Sequence, residues 1–315
     1  MNKFIPILAI LVGYSTAMAA AATRDVGHDQ QQGVRNHPRR RHLLLEENIE
    51  CVLYLKDIQY EDGHGEESWS CEFTYEQSLE LFGGRYDIMD IDGVSTEEIE
   101  STGVISGESI MRVSKGGFVE ENNEEGKREV IMVVPTDATV TFLKLSENDV
   151  RHARARRRNL ASSRPGTTLK TLVVRVIDKS GTQIDADSTQ LKDDVFEDDV
   201  SLRSQYSACS KEQIIIEPAY DYGDGGIVDV KIDIDSVQGN EKELEKAAVA
   251  KAQELFGGTE GLAKLFDLVM FCLPPKTGNW VAYAYINGWR SYYNDYWCQS
   301  VSAQMHEVGT FLYTK

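Results

Sequence analysis

The segment SVSAQMHEVGTFLYTK contains a residue pair with distinctive chemistry, His306 and Glu307. On a helix, two histidines four residues apart project from one face, so both imidazoles can reach one Zn²⁺. A glutamate beside the first histidine then reaches the metal-bound water as a general base. Thr310 occupies the position of the second histidine, and its hydroxyl cannot replace that nitrogen. The pair alone has little specificity, and its plainer interpretation is a polar pair on an ordinary helix.

The segments before this pair alternate between strands and helices. Apolar runs bounded by turn residues predict strands at TLKTLVVRVID, EQIIIEPAY, GIVDVKIDI, LFDLVMFCLPP and NWVAYAYINGW. We predict one helix over TQLKDDVFEDDVSLRSQYSACS and a hairpin turn at YDYGDGG. A second helix, NEKELEKAAVAKAQELFGG, ends in two glycines and has one apolar face, formed by Leu244, Ala248, Ala252, Leu255 and Phe256. This interleaving predicts an α/β (α+β) fold.

The first residues predict export from the cell. Lys3 precedes a short apolar run and then small residues, which is the layout of a secretory signal over residues 1–19. No later stretch is long and apolar enough to span a bilayer, so we expect no membrane attachment after the signal is removed. Five cysteines fit an oxidising compartment, and we predict a local disulfide between Cys51 and Cys71. We therefore expect a secreted, extracellular protein.

An arginine cluster, RHARARRRNLASSRPGTT, marks a change along the chain. Residues 46–149 have a net charge of −19, whereas residues 159–315 have a net charge of −8. In a secreted protein, the segment Arg154–Arg158 has the spacing that basic-specific processing proteases recognise. This interpretation makes residues 20–158 a β-rich propeptide and residues 159–315 a second domain. A solvated run of charges is the plainer alternative.

Composition and rival motifs exclude several functions. A net charge of −18 argues against nucleic acid as a partner. The acidic segment from Asp185 has Gln190 and Phe196 where an EF-hand loop needs glycine and glutamate. Eight aromatic residues lie at positions 280–297, shortly before His306, and we favour packing beneath its helix over the lining of a peptide groove for them. They are Trp280, Tyr283, Tyr285, Trp289, Tyr292, Tyr293, Tyr296 and Trp297.

The segment from about Leu169 to Gly309 resembles the gametolysin family of secreted zinc metallopeptidases, which are of the metzincin kind. The resemblance lies in TLVVRV, QYSACS, VMFCLPP, WVAYAYINGWRSYYND and SAQMHEVG. It implies a metzincin-like catalytic domain with a twisted mixed sheet and an active-site helix. In that domain His306 would be the first zinc ligand and Glu307 the general base. The family motif continues as HExxHxxGxxH, and the chain departs from it after Gly309.

We therefore expect the precursor of a gametolysin-type zinc endopeptidase that is cut short within its zinc motif. Enzymes of this type hydrolyse peptide bonds in extracellular or cell-wall proteins. His306 is the one histidine after the arginine cluster, so zinc would bind weakly and we expect little or no peptidase activity. One alternative is a secreted non-catalytic protein that binds a partner or peptide. Another is an intron read through, or a frame lost, at the Gly309 codon, which would leave an unrelated tail.

Overall fold

The computed structural model describes residues 41–82, 87–122, 128–145, 167–237, 241–258 and 261–311. The predicted signal and the arginine cluster lie outside these ranges. We call residues 41–145 the first half and residues 167–311 the second half. Among the described residues, no helix has the length and apolar character needed to cross a membrane.

The first half is built mainly from strands, and five of them close into a ring. β1 pairs with β2, β2 with β3, β3 with β5, β5 with β4, and β4 again with β1. The ring encloses buried apolar side chains and the disulfide between Cys51 and Cys71, which confirms that prediction. The elements are β1 (Arg41–Tyr60), β2 (Gly65–Glu72), α1 (Tyr75–Phe82), β3 (Ile88–Asp92), α2 (Thr96–Ser101), β4 (Ser109–Asn122), β5 (Arg128–Val133) and β6 (Val140–Lys144).

The second half is a mixed sheet with helices on both faces. Its strands run in the order β8, β7, β10, β12, β11, and β9 also pairs with β7. All of these pairs are parallel except β11 with β12. The elements are β7 (Thr167–Ile177), α3 (Ser188–Lys192), α4 (Leu202–Cys209), β8 (Ile214–Pro218), β9 (Ile227–Lys231), α5 (Glu241–Phe256), α6 (Leu262–Leu265), β10 (Leu268–Leu273), β11 (Trp280–Tyr285), β12 (Arg290–Asn294) and α7 (Val301–Phe311). The five predicted strands of this half are confirmed.

Two local predictions are wrong. The helix predicted over residues 189–210 is broken: α3 continues into a π-helical turn at Asp193–Glu197, and α4 begins afresh after Ser201. Ser201 and Ser204 exchange side-chain and backbone hydrogen bonds in a capping box, which fixes that new start. The predicted hairpin is instead a connection, because β8 and β9 both run parallel to β7, one beyond the other along the same strand.

The sheet of the second half separates two apolar layers. On one face, α5 packs through Leu244, Ala248 and Ala252, each fully buried, whereas the predicted contact residue Leu255 is 49% exposed. On the other face, α3, α4 and α7 pack against the alternate residues of the same strands. The aromatic residues are mostly core, as favoured, but they divide between the faces. Trp280, Tyr283, Tyr285 and Tyr292 lie on the α5 side, and Tyr293 and Trp297 lie on the α7 side.

One sheet continues through both halves. Strand β1 is paired with β4 as far as Val52, and from Lys56 to Tyr60 it pairs antiparallel with β11. The result is a twelve-stranded mixed sheet with few helices, which confirms the predicted mixed α/β class at this level. The β1–β11 pairing also brings residues of the first half next to α7.

Candidate functional site

Helix α7 carries the predicted site residues and is fixed at its start. The disulfide between Cys272 and Cys298 joins β10 to the 3₁₀ turn that precedes the helix. Within the first helical turn, the Gln304 side-chain amide donates a hydrogen bond of 2.6 Å to the Cys298 carbonyl. The Tyr206 hydroxyl, from α4, donates to the Met305 carbonyl at 3.0 Å. These contacts set the position of the next two residues, His306 and Glu307.

The side chain of His306 contacts a residue of the first half. Its side chain is half exposed, and its Nε2 atom lies 3.4 Å from Oδ2 of Asp57 on β1. Hydrogen bonding to Asp57, together with the charge of that carboxylate, raises the pKa of His306 above its ordinary value, although burial partly offsets the rise. When protonated, the imidazole forms an ion pair with Asp57 on β1.

Glu307 lies on the inner side of α7. Its side chain is 1% exposed, and no described residue forms a hydrogen bond with its Oε2 atom. Burial raises the pKa of Glu307 well above its ordinary value, and the charge of Asp57 adds to the rise. Glu307 in turn helps burial to raise the pKa of Tyr293 on β12. Glu307 therefore keeps its proton to higher pH than an exposed glutamate does.

Thr310 is buried one turn after His306. Its hydroxyl donates a 2.6 Å hydrogen bond to the Glu307 carbonyl, so it is engaged with the helix backbone. Among the described residues, no cluster of three or more histidine, cysteine, aspartate or glutamate side chains is arranged to hold a metal ion. Because Thr310 supplies no ligand nitrogen, the side chains described around His306 do not fit the zinc site that the resemblance implies.

The edge of β11 is covered by β1. Asp57 lies opposite Ala284 and Gln59 opposite Ala282, while the alternate residue Ile58 lies opposite Tyr283. Asp57 points toward α7, and Ile58 belongs to the core on the α5 side. An extended peptide bound to a sheet edge has this geometry: main-chain pairing along the edge, with alternate side chains on opposite faces.

Sequence reasoning missed Asp57. The structure brings together the predicted pair, His306 and Glu307, but their charged neighbour comes from a strand about 250 positions earlier. One local signal could have pointed to it: Lys56 and Asp57 interrupt the apolar strand CVLYLKDI, and charges in a half-buried strand require partners.

Comparisons with models of protein families, with curated proteins and with solved structures found no match to this chain. The function is therefore argued from the site itself.

Proposed function

We propose that the protein is a secreted, peptidase-like protein of the gametolysin type, made as a precursor whose first half is the propeptide. The second half recognises extended peptide segments along β11, beside the His306–Glu307 pair. The observation that carries this proposal is the antiparallel pairing of Lys56–Tyr60 with β11, directly in front of His306. In this pairing, β1 stands where an extended peptide of an extracellular protein would lie. Two disulfides, one in each half, are compatible with secretion.

Two activities follow from that site, and the described residues favour the second. The resemblance to gametolysins supports zinc-dependent hydrolysis of peptide bonds. The buried Thr310, in place of a histidine, and the pairing of His306 with Asp57 favour a non-catalytic protein that binds peptides. We therefore propose that the second half, once its β11 edge is uncovered, binds extended peptides without cleaving them.

Zinc content and proteolysis distinguish the two activities. Atomic spectroscopy of the purified chain should find well below one zinc per molecule, and an unstructured protein substrate should stay intact with or without a chelator. Stoichiometric zinc together with chelator-sensitive proteolysis would overturn the non-catalytic assignment and establish the endopeptidase.

A gain-of-ligand variant tests the helix geometry directly. Thr310→His places a second imidazole four residues after His306, on the same face of α7, so zinc affinity should rise at least about tenfold. Thr310→Val is the matched control, because it fills the site without a ligand atom. Equal zinc affinity for the two variants would show that α7 does not have the geometry of a zinc helix.

A further inference from the structure

The main chain is the only covalent connection between the two halves, because neither disulfide joins them. Cys51 pairs with Cys71 inside the first half, Cys272 pairs with Cys298 inside the second half, and Cys209 is a free cysteine. A cut within Arg154–Arg158 would therefore leave no covalent bond between the halves. What happens next depends on the contacts between them.

Main-chain hydrogen bonds cross the junction along the β1–β11 edge. Beyond the paired segment, the Ile286 amide donates to the Leu55 carbonyl at 2.8 Å, and the Glu61 amide donates to the Asn279 carbonyl at 3.0 Å. Ser106 of the first half adds a side-chain link: its hydroxyl accepts from the Leu55 amide at 2.9 Å and donates to the Ile286 carbonyl at 2.6 Å. Separation of the halves would expose this whole row of polar groups.

A buried cation of the second half depends on the first half for its counter-ions. Arg290 lies on β12, between β11 and β10, and is 1% exposed. Its NH1 donates to Asp87 Oδ2 at 2.7 Å and its NH2 to Glu72 Oε1 at 3.2 Å, and both carboxylates belong to the first half. Because Arg290 stays with the sheet of the second half, separation of the halves would leave its charge without these two partners.

Further contacts between the halves are wholly or partly buried. Lys56 is 3% exposed and lies over the ring of Tyr283, with 4.1 Å between its Nζ atom and the ring centroid. Ile58 and Ile88 of the first half belong to the same apolar cluster as α5. Lys242 at the start of α5 forms an ion pair with Asp90 on β3. The junction thus has an apolar core, which is a feature of a lasting interface, and its charge pairs are partly buried.

We infer that the first half remains bound to the second half after the arginine cluster is cut, as a tightly held non-covalent partner. Cleavage of the linker alone therefore leaves the β11 edge covered. Uncovering it requires a second event, which is destruction or displacement of the first half. This inference does not depend on whether the second half hydrolyses peptides or only binds them.

A controlled cut of the full chain tests the inference. Residues Arg154–Arg158 are replaced by the recognition sequence of a site-specific protease, and complete cleavage is verified on a denaturing gel. Gel filtration in native buffer, at protein concentrations down to about 0.1 µM, should then give one peak that contains both fragments. Separate elution of the two fragments in native buffer would overturn the inference.

Variants locate the source of the binding. Asp87→Asn combined with Glu72→Gln leaves Arg290 without anionic partners, and the cut complex should dissociate at least about tenfold faster. Asp229→Asn is the matched control, because Asp229 pairs with Arg175 inside the second half, and it should leave the dissociation rate unchanged. Equal rates for the double variant and the unmodified pair would refute the role of Arg290. If the uncut double variant does not fold, Ser106→Ala provides the same comparison at the hydrogen-bonded part of the junction.

Discussion

Replacement of Arg290 by methionine tests how far the stability of the whole chain depends on the junction. The guanidinium is buried and pairs with Asp87 and Glu72, whose side chains are 29% and 21% exposed. It also lies over the rings of Tyr285 and Trp289. Removal of one member of a buried ion pair costs about 3–5 kcal/mol. Because both carboxylates retain some contact with water, we expect Arg290→Met to lower the free energy of unfolding by about 3 kcal/mol, the lower end of that range.

Two comparison variants separate charge from packing. The triple variant Arg290→Met, Asp87→Asn, Glu72→Gln removes the uncompensated charges as well, so it should recover at least about half of the loss. Arg175→Met removes an ion pair whose acid, Asp229, is 46% exposed, and it should cost no more than about 1 kcal/mol. Denaturant unfolding at pH 8, followed by tryptophan fluorescence with the disulfides intact, gives these values. A loss for Arg290→Met no greater than that for Arg175→Met would refute the reasoning, as would a triple variant less stable than the single one.

Three other measurements address stability and covalent structure. Burial raises the pKa of Glu72 to about 7 despite the charge of Arg290, so the folded chain holds a proton that the unfolded chain releases. That contribution to stability is complete below about pH 4.5 and is lost as the pH rises through 7. Unfolding curves measured across this range should show that Glu72→Gln removes this part of the pH dependence. If the free energy of unfolding of the variant falls with pH as steeply as that of the unmodified chain, the prediction is contradicted. Gly223 has φ +55°, and an added Cβ would lie 2.0 Å from the Ile227 carbonyl oxygen, so thermal unfolding should show Gly223→Ala to be destabilised by more than about 3 kcal/mol. The control Gly181→Ala, with φ +90° and open space around it, should lose only about 1 kcal/mol, and equal losses would contradict the clash. Thiol titration of the native chain should find one reactive group, at Cys209, and a count of three or more would contradict the two disulfides.

Local patterns predicted elements well where one periodicity dominated. Helix α5 shows the expected buried face at Leu244, Ala248 and Ala252, because these positions recur at helical spacing. The same reasoning failed for residues 189–210, where an acidic, weakly periodic segment favours a helix along its length. There, Ser201 offers its own cap to a new helix start, and the local hydrogen bonds of that cap compete with continuation of α3.

The candidate site was predictable only in the part that lies on one element. The spacing of His306 and Glu307 on a helix is local, and the structure has both residues on α7. Asp57 depends on the pairing of β1 with β11, which joins segments more than 200 residues apart and leaves no periodic mark in either. Residue type signalled only that the charges at positions 56 and 57 would need partners somewhere.

The change in composition at the arginine cluster suggests two separate domains, whereas one continuous sheet joins the two halves. The tendency of an uncovered strand edge to pair explains how both can hold. A cluster of arginines with Ser, Gly and Pro marks where a chain is accessible, which is a local property. The sheet of the second half ends at β11, a strand rich in aromatic and small residues, and an uncovered strand of this kind invites pairing with other chains. In this chain β1 covers that edge and Asp87 and Glu72 neutralise Arg290, so the second half has no complete fold of its own at this edge. An accessible linker between two segments therefore does not make them independent, and a protein built this way can be cut once and still keep the edge of β11 covered.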